Sequence, residues 1–244
     1  MSDTPRISNV GLVGVAVTFA EEMSERANLA AIAFRAAVDA QNWPDVIETS
    51  STLVSTFVAV DLTTTDFDDF RNRLDSLLTG RDWLDAALPT GRKLWTLPMC
   101  FGSERAPQFE DAAKTAGLSL DAALSSLINA RTRVITVGFA PGQPYLGMLD
   151  EAWNIPRQAE LTPQVPAGAL VVAIRQFVLF TAAMPTGWRH VGQTAFRPFD
   201  PHRTQPIVLT PGDEVRFASL TPAELADLES QADTMGGATW EPLP

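Results

Sequence analysis

A single tyrosine, an arginine that follows a proline and two histidines are the side chains of this chain best suited to chemistry. Tyr145 is the only tyrosine among 244 residues, and its hydroxyl can both donate to and accept from a ligand or partner. The same ring could equally be a packed aromatic with a satisfied hydroxyl. Arg157, directly after Pro156, presents a planar fork suited to a carboxylate or phosphate, or else a surface ion pair. His190 follows Gly187 by three residues; imidazole titrates near neutral pH and can act as a general acid or base, though a lone histidine also serves structure. Trp188 can fill a pocket, an interface or the core. His202, beside Pro201 in a polar turn, reads as solvated, and Cys100 has no cationic neighbour in sequence to activate its thiol.

Tyr145 lies in Gly138-Phe139-Ala140-Pro141-Gly142-Gln143-Pro144-Tyr145-Leu146-Gly147, directly after the strand-like Arg133-Val134-Ile135-Thr136-Val137. Glycine admits positive φ and close approach to the main chain, while proline fixes φ, so the loop should be stiff and its backbone from Pro141 to Gly147 should shape a pocket. The phosphate-binding Gly-x-x-x-x-Gly-Lys-Ser/Thr loop and the Gly-x-Ser-x-Gly elbow are both missing. One Cys and two separated His give no zinc spacing. The chain by itself therefore reads as catalytically incomplete.

The elements that must position these residues follow from periodicity. Val10–Phe19 reads as a strand, Ser24–Ala40 as an amphipathic helix capped by Ser24, Val46–Glu48 and Leu53–Leu62 as strands, and Phe67–Leu78 as a second helix. That order fits an α+β sandwich of ferredoxin-like kind over residues 1–88. A polar stretch, Arg81–Arg92, reads as the linker to a second domain over 92–244. There Leu94–Met99 is strand-like and Phe109–Ala116 helical, and Ser119 caps a helix reaching about Ala130. Short apolar runs punctuated by Pro and Gly then argue for a closed β-barrel. Thr221-Pro222-Ala223-Glu224 starts a closing helix expected to reach Met235. A net charge of −11 with no basic cluster excludes a nucleic-acid partner. The apolar run Val10–Ala20 is too short to cross a bilayer, so no membrane role is expected and the cytoplasm is the default location.

Several motifs in shared order resemble the KipI family, also known as allophanate hydrolase subunit 1 or the B component of 5-oxoprolinase. They are Cys100-Phe101-Gly102-Ser103-Glu104 with Pro107, the loop Gly138–Leu149, Pro156-Arg157, Val165-Pro166-Ala167-Gly168, Pro185-Thr186-Gly187-Trp188, Gly192-Gln193-Thr194, Phe199-Asp200-Pro201 and Pro211-Gly212-Asp213-Glu214. The resemblance implies a carboxy-terminal cyclophilin-like barrel and work in concert with a homologous protein, allophanate hydrolase subunit 2 or the C component of 5-oxoprolinase. It also implies a third polypeptide, the A component of 5-oxoprolinase, the whole opening 5-oxoproline to glutamate with ATP as cofactor. Its alternatives are a regulator similar to a histidine-kinase inhibitor and a carboxyltransferase-type subunit in urea or allophanate breakdown. The binding residues it suggests are Pro141, Gly142, Gln143, Tyr145, Arg157, Gly187, Trp188 and Gln193, with His190 as catalytic candidate. The family's ionisable residues are replaced at Gln108, Gln193, Leu127 and Thr132, and its second loop Phe by Gln143.

Overall fold

A hairpin opens the chain: β1 (Arg6–Asn9) and β2 (Gly14–Thr18) pair antiparallel around an exposed tip. Only the second of these strands falls in the run read as one long strand. The run breaks because Gly11 takes φ +55° and Val10 N donates to Gly14 O at 2.9 Å. In the computed structural model, which describes residues 5–243, α1 (Glu25–Gln41), β3 (Glu48–Ser51), β4 (Ser55–Ala59) and α2 (Phe67–Thr79) follow. Ser24 caps α1 through Ala27 N, and Asp66 caps α2 through Asp69 N.

The sheet order is β1-β2-β4-β3, antiparallel throughout. A βαββαβ chain supplies its outer strand after the second helix; here β1, from before the first helix, occupies that edge beside β2. Val15, Val17, Val58 and Val60 share one core with Phe19, Phe34, Phe70, Leu74 and Trp83, so both helices cover one sheet face. These elements make up the unit Met1–Thr90; the remainder forms a second, Gly91–Pro244.

The second unit runs β5 (Lys93–Phe101), α3 (Phe109–Thr115), α4 (Leu120–Ile128), β6 (Thr132–Val137), β7 (Pro144–Gly147), β8 (Thr162–Val165), β9 (Ala169–Ala173) and β10 (Gln176–Leu179). Then come β11 (Met184–Thr186), β12 (Arg189–Gln193), β13 (Glu214–Ser219), α5 (Pro222–Glu229) and β14 (Thr239–Pro242). Strands β12-β9-β10-β7-β6-β13-β5 are neighbours in that order and β12 pairs again with β5, which closes a seven-strand barrel. Closure leaves no unpaired edge in the ring. A separate ribbon, β8–β11, lies beside it.

Two details depart from expectation. The closing helix stops at Glu229, not Met235; further on, Gly236 and Gly237 both take positive φ and turn the chain into β14, which pairs with β5. The β9–β10 hairpin turns on Ile174 and Arg175, both at positive φ, a geometry that usually selects Asn-Gly. It is held by Ile174 N to Ile155 O at 2.8 Å and Arg175 N to Trp153 O at 2.9 Å.

Asp213 ties the ring together from within the Pro-Gly-Asp-Glu turn. It is 2% exposed and its carboxylate accepts from Lys93 N (2.8 Å), Trp95 Nε1 (3.2 Å), Thr210 N (3.1 Å) and Thr210 Oγ1 (3.1 Å). Every donor around it points inward, so an amide at that place would oppose N–H to N–H. Asp213→Asn should lower unfolding stability by about 2–3 kcal/mol in denaturant melts, and an unchanged midpoint would contradict the pinning role.

Candidate functional site

Side chains in a regular strand alternate between faces, so His190 and Gln193, three residues apart on β12, should point to opposite sides. They do not. The pairing of β12 with β9 slips between His190, which faces Val171, and Gly192, which faces Leu170, leaving Val191 as the extra residue. Past this bulge Gln193 faces Ala169, and Val171 and Ala169 belong to one apolar cluster on a single face. A one-residue bulge re-aims a strand, and here it brings the imidazole and the amide to the same side.

Both line a cavity of about 530 Å³ walled by the segment before α3 (Glu104, Arg105, Gln108), by β8 and the turn after it, and by Arg197 and Glu229. Gln108 clamps the histidine at two points: its Oε1 accepts from His190 N at 2.8 Å, and its own backbone N donates to His190 O at 3.2 Å. The Gln108 amide nitrogen donates to Gln158 Oε1 at 2.8 Å and Thr162 Oγ1 at 2.9 Å, while Gln158 Nε2 donates to Trp188 O at 3.1 Å. This amide network fixes the cavity floor. Arg105 is engaged by Glu229, whereas among the described residues no carboxylate pairs with Arg197. Its Nη1 makes one long contact, 3.4 Å, to Thr194 O.

The His190 ring sits 2.9 Å from Gly192 O through Nε2. A carbonyl only accepts, so Nε2 carries the proton and Nδ1 the lone pair. Burial holds the imidazole pKa below its ordinary value; the Gly192 carbonyl and Gln193 oppose this, and the Arg105 charge adds to the lowering. At neutral pH His190 is an uncharged group, able to accept a hydrogen bond or a proton.

Gly168 shows why the Val-Pro-Ala-Gly turn carries a glycine. Its φ is +82°, and a Cβ there would lie 2.3 Å from Thr194 O, 2.6 Å from Arg197 Nη1 and 2.8 Å from Gln193 Nε2. The site side chains close directly over this backbone.

The other residues expected from sequence lie elsewhere. Tyr145 packs edge-on to Trp188 at 6.4 Å within the cluster of Val165, Val171 and Phe180. Arg157 is exposed and lies over the Trp188 ring at 5.4 Å. Gly187 sits under Leu161 and Arg157. Pro141 is exposed, Gln143 is 1% exposed, and Gly142 approaches Phe199 and Ile207. The bend that was expected to shape a pocket with its main chain thus packs against the 199–207 segment, and none of these seven residues lines the His190 cavity. Gln108 and Arg197 line it instead, with Gly168 packed against Gln193 and Arg197 and Gln158 bracing Gln108. Of these, Gly168, within a recognised motif, and Gln108, as a replaced family position, carried a sequence signal; Arg197 and Gln158 carried none.

A closed barrel with a polar cavity at its closing strand defines the class. The chain belongs to the family described as carboxyltransferase domain, subdomain C and D, which matches residues 5–209. It is similar to the B subunit of 5-oxoprolinase from Bacillus subtilis, 26% identical over 226 residues that make up 88% of this chain and 93% of that protein. The family expected from the turn motifs is the one matched. The crystal structure of TTHA0988 superposes with a TM-score of 0.71 at 30% identity, covering 85% of this chain, which spans 40% of that longer polypeptide. Urea amidolyase of Kluyveromyces lactis shares the fold, with a TM-score of 0.74 at 16% identity over 98% of this chain and 16% of the enzyme.

Two outcomes test the site's construction. Gly168→Ala should cost at least about 2 kcal/mol, from the left-handed backbone and the close carbonyl, measured by chemical denaturation; a neutral result would contradict the close packing. The second concerns pH. The folded His190 pKa lies below the unfolded value, so between that value near 6.5 and the lower folded one the unfolded chain binds more protons. Stability therefore falls as pH drops through this window. His190→Gln should flatten that part of the stability–pH curve relative to the parent, and parallel curves would exclude the assignment.

Proposed function

We propose that this chain is the B-type subunit of an ATP-dependent amide hydrolase of the 5-oxoprolinase kind, acting in the cytoplasm with a homologous barrel subunit of the C type and a third of the A type. The supporting observation is a likeness to a 5-oxoprolinase B subunit over nearly the whole of both chains. The cavity agrees with a shared site: it offers binding groups, but its lining holds no cysteine or serine, and its one hydroxyl, Thr162, accepts from two amides. A lactam carbonyl is a poor electrophile. Transfer of a phosphoryl group from ATP to its oxygen creates a leaving group, after which water adds to the carbon and the ring opens. This chain has no phosphate-binding loop of the Gly-x-x-x-x-Gly-Lys-Ser/Thr type, so the nucleotide is held by a different arrangement or by a partner, and the neutral His190 is available to take a proton or to hold the substrate.

A regulatory role similar to the histidine-kinase inhibitor has one feature in its favour: neutral amides, Gln108 and Gln193, stand where the resemblance expects ionisable groups. One experiment separates the two. Co-purification with candidate C-type and A-type subunits should give a stable complex that releases glutamate from 5-oxoproline only when ATP is present. A chain that forms no such complex, yet lowers histidine-kinase autophosphorylation, would establish the regulator instead.

A further inference from the structure

The cavity beside His190 carries an ion pair within its own wall: Arg105 Nη2 donates to Glu229 Oε1, and both residues line the cavity. Three features make this contact easy to exchange. The two side chains remain 32% and 27% exposed, so water screens the pair and it adds little to stability. Glu229 is the last residue of α5, a helix with no basic residue in its final turn, so its carboxylate stands at the negative end of the helix dipole, where negative charge is disfavoured. The helix is anchored elsewhere, by Leu225 buried against Cys100 and Ala195 and by the Thr221–Glu224 capping box. Across the same cavity Arg197 has no carboxylate partner among the described residues, its Nη1 making only the long contact to Thr194 O. Glu104, the other carboxylate of the lining, is exposed. Release of Glu229 therefore leaves two guanidinium groups on one cavity wall, beside a neutral imidazole.

We propose that Glu229 is a resident competitor at an oxyanion subsite: a phosphoryl group entering the cavity takes Arg105 and Arg197 and turns the α5 carboxylate out to solvent. A carboxylate ligand would only exchange like for like on Arg105. A phosphoryl group carries close to two charges at neutral pH and three acceptor oxygens, so it can engage both guanidinium forks at once and displace Glu229 where a carboxylate does not. The phosphoryl group belongs either to a nucleotide or to free phosphate. The inference rests on the reading of this cavity as the subunit's ligand site.

The chain has only two histidines, which makes His190 a reporter of the cavity and His202, outside its lining, the internal control. Their imidazole resonances are followed while the full chain is titrated with inorganic phosphate, with metal-free ATP and with acetate. Phosphate and ATP should shift His190 and leave His202 in place, with acetate at least about tenfold weaker. ATP binding tighter than phosphate assigns the subsite to a nucleotide's terminal group, and equal affinity assigns it to free phosphate. Glu229→Gln should bind phosphate at least about threefold tighter than the parent, whereas Arg105→Gln and Arg197→Gln should each weaken it at least about tenfold. Equal phosphate affinity in the parent and Glu229→Gln overturns the proposal, as does a His190 signal that phosphate leaves unmoved in both. A complex that hydrolyses 5-oxoproline although phosphate never reaches His190 would sink this inference and leave the proposed function standing. Phosphate binding controlled by Glu229 in a chain that supports no hydrolysis would do the reverse.

Discussion

One extra residue, Val191, inserted where the barrel closes, is the constraint on which the site depends. β12 must pair with β9 on one side and with the last two residues of β5 on the other, through Gly192 with Phe101 and Gln193 with Cys100. Gly192 tolerates the second pairing because it has no side chain: a Cβ there would lie 2.9 Å from Met99 Sδ. A larger residue would have to displace the fully buried Met99 side chain. The bulge precedes this contact by one position, so the element that completes the barrel also turns His190 and Gln193 to a common face. Closure and site formation are the same structural event, which is why neither can be altered without the other.

The charge pattern around the cavity follows from the same geometry. The resemblance counts Gln193 as a lost ionisable position, yet a guanidinium is present at that place in space. Arg197 reaches it from beyond the end of β12, across the backbone of Gly168. Arg105, the other cation of the wall, is neutralised by Glu229 from α5, so the free positive charge is concentrated at Arg197. Gln108 in turn exchanges a carboxylate for an amide that can donate and accept at once, and it uses both capacities, holding His190 from behind while bonding Gln158 and Thr162.

How much of this was legible in the sequence can be argued element by element. Helices α1 and α4 were readable because Ser24 and Ser119 accept from the first-turn backbone as cap chemistry requires, and α2 from its apolar period of 3.6; its cap, Asp66, emerged only in the structure. The barrel was readable from short apolar runs between Pro-Gly turns. β1 was not, since Arg6-Ile7-Ser8-Asn9 has one apolar residue and pairs at an exposed edge; β14, four exposed residues led by a glycine pair, gave no strand signal either. His190 and Gln193 were found, but as separate residues, because alternation assigns them opposite faces and no local pattern announces a bulge at Val191. Arg157 and Tyr145 stood out for the opposite reason: an arginine after a proline and a lone tyrosine look chemical in sequence, and in space both lie against Trp188, outside the His190 cavity.

The glycine-rich bend between β6 and β7 shows most clearly how motif and site can part. Its turn bonds, Gly138 N to Gln143 O at 3.0 Å and Gln143 N to Ala140 O at 3.1 Å, make it as stiff as its composition suggests. Gly142 nonetheless uses its freedom for contact with Phe199, so the close approach that glycine permits is made to another part of the same chain. Phe139, at φ +72° and 87% exposed, is the one large side chain the bend holds out to solvent. A motif built of backbone requirements reports where the main chain must pass closely by something; only the fold says what that something is. Here Gly168 and Gly142 satisfy the same steric rule, and only at Gly168 is the neighbour a side chain that faces the cavity.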